Sequence, residues 1–179
     1  LRGDLTCNLP PKASAMNLAH DPWIPVARAG ANASLVSLID LYENSDQLTD
    51  LSVSPPQRIA VMRLLTCITQ RALDGPESPK AWTTCKASIA PESIAYLKAN
   101  AASFELYGEN PFLQVASLKP EHNATVDKLD FGLSAGNNHT LFDQEANPNG
   151  RLQSPAWQAL NLLTYQCFSP GGLIGRNTW

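Results

Sequence analysis

The run Gly132-Leu133-Ser134-Ala135-Gly136 has the Gly-x-Ser-x-Gly spacing. On a sharp strand-to-helix turn that spacing lifts a serine hydroxyl toward a histidine base for acyl transfer. The surroundings do not supply the rest of the chemistry. Asn137, Asn138 and His139 follow where a helix should begin, and His139 is the last histidine, so no acid followed by a distant histidine completes a triad. Ser134 therefore reads as a turn serine; a serine hydrolase built on it is the alternative, which labelling by a fluorophosphonate probe would reveal. Asp127 and Asp130 are paired carboxylates in a polar stretch with no third ligand nearby, so solvated surface is expected there in place of acid–base or metal chemistry.

Cys7, Cys67, Cys85 and Cys167 are far apart, with no Cys-x-x-Cys pair and no histidine at ligand spacing. Reduced thiols and no zinc site are expected. Cys67 and Cys167 lie in apolar helical patterns, where a free cysteine behaves as a small core hydrophobe. Gly171-Gly172 follows a predicted helix and does not precede one, so it is no phosphate-binding loop, and no dinucleotide fingerprint is present. The residues point to no catalytic constellation, no metal and no cofactor. What remains is the neutral polar run Asn137, Asn138, His139 and Thr140, whose donors and acceptors suit base edges, sugars and phosphates, with Phe142 able to stack. A second reading stands beside it, in which the asparagines shape a turn and Leu141 and Phe142 fill the core.

The elements that must position these residues are short. Trp23-Ile24-Pro25-Val26 and Ser34-Leu35-Val36 read as two strands about a turn at Gly30, the first demoted to an edge by Pro25. Ser37 with Asp40 marks a helix start, and Leu38, Leu41 and Tyr42 supply its apolar stripe. Ser54-Pro55-Pro56-Gln57 combines a capping serine, proline at the first helical position and a reciprocal glutamine. It predicts a central core helix with Ile59, Met62, Leu65, Ile68 and Ala72 inward, ended by Asp74-Gly75-Pro76. Helices are also expected around Lys80 to Ser88 and from Pro91 to about Ala102, and an extended segment over Asn110 to Val115. From Ser117 to Arg151 the pattern predicts a loop long enough to be functional. Ser154-Pro155 then caps a helix carrying Trp157, Leu160, Leu163 and Cys167, stopped by Ser169-Pro170-Gly171-Gly172.

With 179 residues, 44% hydrophobic, the chain can bury one core. Its 14 prolines and 10 glycines are spread without a repeat, as in an irregular α+β domain with a small N-terminal sheet, several helices and a long loop. The net charge of -3 and pI near 5.5 argue against a broad basic face that grips nucleic acid unaided. No apolar run reaches a membrane span and the first residues lack a signal-peptide centre, so a cytoplasmic protein with no membrane contact is expected. Residues 1–15 read as an irregular extension, a cloning remnant or a misassigned upstream start, with Met16 the expected native start and 16–179 the folded part.

Five segments, in order, resemble the CasA family, the large subunits of the type I-E CRISPR surveillance complex Cascade. They are Leu18 to Val26 with its Asp21-Pro22-Trp23-Ile24-Pro25-Val26, the helix Ile59 to Ala72, Asn110 to Val115, Ser134 to Asp143, and the helix running into Gln166-Cys167-Phe168-Ser169-Pro170-Gly171-Gly172. The resemblance spans Met16 to about Arg176, the front part of a larger N-terminal domain, and so implies a fragment. It implies a non-catalytic subunit that reads the motif adjacent to a double-stranded DNA target, helps open the duplex and recruits a helicase-nuclease. Guide pairing reads the remaining sequence. The partners it implies are other Cascade subunits, guide RNA, target DNA and the helicase-nuclease; a purely structural scaffold subunit is the alternative.

By the same resemblance the loop from Phe142 and Asp143 to about Arg151, directly after the run Asn137, Asn138, His139 and Thr140, binds the 5' end of the guide RNA and docks the subunit. Gly171 and Gly172 fall near a glycine loop whose backbone approaches the minor groove, an ordinary helix cap being the other reading. On the charge and the partial coverage, the isolated chain is expected to bind duplex DNA weakly and with little sequence preference. A titration at fixed salt checks this, and tight, motif-specific binding would place recognition elsewhere in the protein.

Overall fold

The computed structural model describes residues 15–116, 124–133, 152–169, 173–174 and 177–178. Strands β1 (Ile24–Arg28) and β2 (Ala31–Val36) pair antiparallel about Gly30, whose φ of +70° is the left-handed conformation that suits glycine. A third strand, β3 (Leu48–Leu51), pairs on the other side of β1, giving the order β2-β1-β3. Contrary to the sequence expectation, β1 is central. Pro25 is tolerated because it lies where the β1–β3 ladder ends: its carbonyl still accepts from the Ser52 N–H at 2.9 Å, and the ladder proper starts at Val26 opposite Leu51.

Helix α1 (Leu38–Glu43) begins as predicted. The Ser37 hydroxyl oxygen accepts from the Asp40 N–H at 3.0 Å and the Asp40 carboxylate accepts from the Ser37 N–H at 3.2 Å, satisfying two amides at the helix start. Helix α2 (Pro55–Ala72) opens with the Gln57 side chain accepting from the Ser54 N–H at 3.0 Å. It stops where Asp74 and Gly75 turn left-handed and the Gly75 N–H closes on the Gln70 carbonyl. Helices α3 (Pro79–Cys85) and α4 (Ile89–Ala99) occupy the two later helical stretches, and α5 (Pro155–Phe168) starts at Ser154, whose hydroxyl oxygen accepts from the Trp157 N–H at 3.2 Å.

The core lies where α4 meets α1 and α2, with α5 packed on α2. Trp23, Leu18, Ile24, Leu38, Val61 and Leu97 are its fully buried large side chains near that junction. Two expectations for α2 fail together. Its buried residues are Ala60, Val61, Ile68 and Thr69, while Ile59 and Met62 are each 51% exposed and Cys67 is exposed. Cys67 is therefore not a core hydrophobe, whereas Cys167 does pack against the core and Cys85 is half-buried, all three as free thiols. The segment Asn110 to Val115 is also not a strand. Leu113 has a φ of +55°, the Gln114 N–H closes on the Pro111 carbonyl, and the turn tucks Phe112 against Phe104 with ring centroids 5.7 Å apart.

A one-way hydroxyl relay crosses the helix junction. The Tyr42 hydroxyl donates to the Leu65 carbonyl at 3.0 Å, which leaves its oxygen to accept from Thr69 at 3.0 Å, and Thr69 in turn accepts from Ser93 at 3.5 Å. Burial raises the Tyr42 pKa above its ordinary 10.0, the hydrogen bonds from Thr69 and Ser93 partly opposing it. A folded-state pKa raised in this way means that the stability tied to the neutral phenol is complete below pH 10.0 and is lost as the pH climbs from there to the folded value. Tyr42→Phe should cost roughly 1–3 kcal/mol at neutral pH, because it removes both hydrogen bonds of the hydroxyl and takes the acceptor from the buried Thr69. It should also remove this share of the alkaline loss, Tyr107 keeping its own, and urea titrations at pH 7 and above pH 10 measure both effects.

Candidate nucleic-acid interface

Asn137, Asn138, His139, Thr140, Phe142, Asp143 and Arg151 lie outside the described residues, as do Gly171 and Gly172. The structure does describe the chain that carries them on both sides. The stretch entering the loop is a single 3-10 turn, Val126–Leu129, followed by a tight bend in which the Asp130 carboxylate accepts from the Gly132 N–H at 2.8 Å. A nucleophile elbow needs a strand at this place. The turn leading into Gly132 removes that context, so the serine-hydrolase alternative loses its structural basis on the side the structure describes.

Both flanks of the loop are tied to α5. Before the loop, Phe131 stacks on Tyr165 with ring centroids 5.5 Å apart and planes within 14°. After it, the Gln153 amide donates to Asp127 Oδ1 at 3.2 Å, joining the outgoing and returning stretches directly. Asp127 is 1% exposed, against the expectation of a solvated pair; the 3-10 turn packs on α5 and carries this carboxylate inward, while Asp130 stays half-buried and makes the local turn. A buried carboxylate must be held by donors, and Gln153 is one of them.

Glutamines carry the frame further. Gln158 accepts from the Tyr107 hydroxyl at 3.0 Å and donates to the Gln153 carbonyl at 3.0 Å. Partial burial raises the Tyr107 pKa, which keeps the phenol protonated as the donor. Near the other end of α5, Gln166 donates to the Leu113 carbonyl at 3.1 Å. On the core side, the capping Gln57 of α2 donates to Asn161 Oδ1 at 3.0 Å, and Asn161 donates to the Trp157 carbonyl. One helix therefore holds the 107–113 turn and the described chain on both sides of residues 134–151. Beyond α5, Leu173–Ile174 (β4) and Asn177–Thr178 (β5) pair antiparallel.

Of the supporting amides, Gln57 is marked in the sequence by its capping role, while Gln153, Gln158, Gln166 and Asn161 carry no such mark. The signal available was Asn161, a polar residue within the apolar run Leu160 to Leu163 of a helix, which must find a partner when buried. Among the described residues no group of three or more His, Cys, Asp or Glu is placed to hold a metal ion, and no helix is long and apolar enough to cross a membrane.

A family model described as CRISPR-associated protein Cse1 matches residues 17–177. The CRISPR-associated protein CasA/Cse1 of Thermus thermophilus is 36% identical over 166 residues, which cover 89% of this chain and 33% of that protein. The crystal structure of Thermobifida fusca Cse1 superposes with a TM-score of 0.75 at 25% identity, covering 88% of this chain and 31% of that one. A chain of a CRISPR RNA-guided surveillance complex shares the fold at a TM-score of 0.73 and 21% identity, covering 88% of this chain and 35% of that one. The chain thus spans about a third of the length of the relatives it matches.

Gln153→Ala should cost roughly 1–3 kcal/mol, because it deprives a buried carboxylate of a donor. It should also loosen the return of the loop while leaving α5 intact. Urea unfolding gives the first quantity, and amide exchange over 124–133 against that over α5 gives the second.

Proposed function

The chain belongs to the CRISPR-associated protein Cse1 (CasA) family, corresponding to its N-terminal part, and from that premise we propose that it is the front portion of a non-catalytic Cascade subunit. In this reading residues 16–179 form the beginning of the subunit's N-terminal domain, and residues 1–15 precede it. The subunit works in the cytoplasm with the other Cascade subunits, guide RNA and double-stranded target DNA. It reads the motif beside the target and helps recruit a helicase-nuclease. The observation that carries the reading is the family match over residues 17–177, nearly the whole chain.

Phe142 to Arg151 is the docking element, engaging the 5' end of the guide RNA, with Asn137, Asn138, His139, Thr140 and Asp143 supplying neutral and acidic hydrogen-bonding groups around it. Gly171 and Gly172 let the backbone approach the minor groove. The anchoring on α5 of the described chain before residue 134 and after residue 151 supports this assignment, since a recognition loop works from a fixed frame. Arg151 is the only cation between Phe142 and Arg151, and Asp143 and Glu145 oppose phosphate. The loop therefore binds RNA jointly with the assembled complex, and neighbouring subunits hold most of the phosphate backbone.

Asn138→Ala combined with Phe142→Ala, in a subunit of family length, should weaken association with guide-RNA-loaded Cascade about tenfold or more, the loss of one or two anchoring contacts. Circular dichroism should remain unchanged. Normal association would remove the loop from the interface, and unfolding would show that Phe142 fills the core. Association that proceeds equally without guide RNA would favour a scaffold subunit.

A further inference from the structure

We infer that the outward face of α2 is an intramolecular seat, covered in family-length members by the chain that lies beyond the matched N-terminal part. The inference rests on family membership and is independent of the loop assignment.

The face combines large hydrophobes with cations that the helix itself does not balance. Along it Ile59, Met62, Thr66, Cys67 and Gln70 are exposed and uncharged, while Arg58, Arg63 and Arg71 are exposed and all of one sign, with no acidic residue in the helix. Such a side suits a partner surface that is partly apolar and acidic. Single exposed hydrophobes are ordinary, but Ile59 and Met62 stand one turn apart, each 51% exposed, on the helix whose opposite side holds Val61 and Ile68 in the core.

One depression, of about 210 Å³, lies between α2 and the sheet and is floored by Val26, Leu41, Leu51 and Leu65. From its rim at Arg58 and Met62 the surface continues along α2 alone, through Arg63, Thr66 and Cys67 to Gly75, with no second element lining it among the described residues. The open face thus follows most of an 18-residue helix, about 27 Å at the usual rise.

Length and charge select the occupant. The curated relative is about three times as long as the stretch matched here, so a family-length protein brings roughly twice as much further chain against this fold. A second copy of the same face would set Arg63 and Arg71 against their own kind, which opposes self-association. The occupant that fits presents an apolar ridge to Ile59 and Met62 and carboxylates opposite the arginines.

Cys67 reports on the face without disturbing it. The test compares the 179-residue chain with a fusion in which it replaces the matched part of the Thermus thermophilus relative. A bulky maleimide should label Cys67 readily in the chain alone and about tenfold or more slowly in the fusion, because thiol labelling follows access. Ile59→Glu with Met62→Glu should leave the melting of the chain alone nearly unchanged and lower that of the fusion.

Equal labelling in a fusion that melts cooperatively overturns the inference. So does protection in the chain alone that grows with its concentration, which would assign the face to a second copy, or protection that arises only in assembled Cascade, which would assign it to another subunit. Should the fusion fail to fold, glutamates at the two aligned positions of the intact relative decide: unchanged stability there overturns the inference and lost stability supports it.

Discussion

The described fold depends on how the Leu18 carbonyl is used. It accepts from the Trp23 indole at 2.9 Å and from the Leu38 N–H at 3.3 Å, so a single oxygen fixes the largest buried side chain and the first turn of α1. Both of its acceptor positions are filled, where one partner would already satisfy a buried carbonyl. Asn17 holds the same corner from the other side. Its amide donates to the Ala101 carbonyl and to Glu105, and its backbone N–H is accepted by Asp21 at 2.7 Å, which brings the end of the α4 region to the N-terminal segment. Chain segments more than eighty residues apart are thereby fixed before any sheet or helix packing is considered, and the sheet follows because the Trp23 N–H continues to the Val36 carbonyl.

From that corner, order is transmitted to the candidate interface through helices and not through the sheet. Helix α4 packs on α1 and α2, and α2 packs on α5, with the Gln57–Asn161 hydrogen bond at the last junction. The side chains that extend this order past α5 are amides and hydroxyls: Gln153, Gln158, Gln166 and Tyr107. Such groups suit irregular chain, whose backbone carbonyls lack ladder partners and must be satisfied individually. The loop flanks therefore gain fixed positions without a strand or helix of their own.

Much of this was legible from sequence because it is local chemistry. Ser37 with Asp40, Ser54 with Gln57, and Ser154 followed by Pro155 each mark a helix start by satisfying amides within four residues, and all three helices begin there. What is not local depends on distant partners. Pro25 looked like an edge residue because its neighbour β3 is more than twenty residues away and of weak strand character. Asn110 to Val115 reads as extended until Phe104 and the Glu105 carbonyl are placed beside Phe112. Asp127 looked solvated because Gln153, the side chain that accompanies its burial, returns only after the whole loop. The interface residues themselves were suggested by family resemblance, since Asn137 to Thr140 carry no spacing that specifies a ligand.

Helix α2 marks a different boundary of sequence reading. Periodicity records which positions a protein buries, but not which partner does the burying. Ile59, Met62, Leu65, Ile68 and Ala72 follow a helical period as well as Val61, Leu64, Ile68 and Thr69 do, and only packing against α4 and α5 decides which side turns inward here. On the inference that further chain covers the outer side, the stripe containing Ile59 and Met62 is a second contact surface of one helix. The two overlapping apolar periods then have one physical cause: α2 lies between two bodies of protein, and the described fold supplies the first of them.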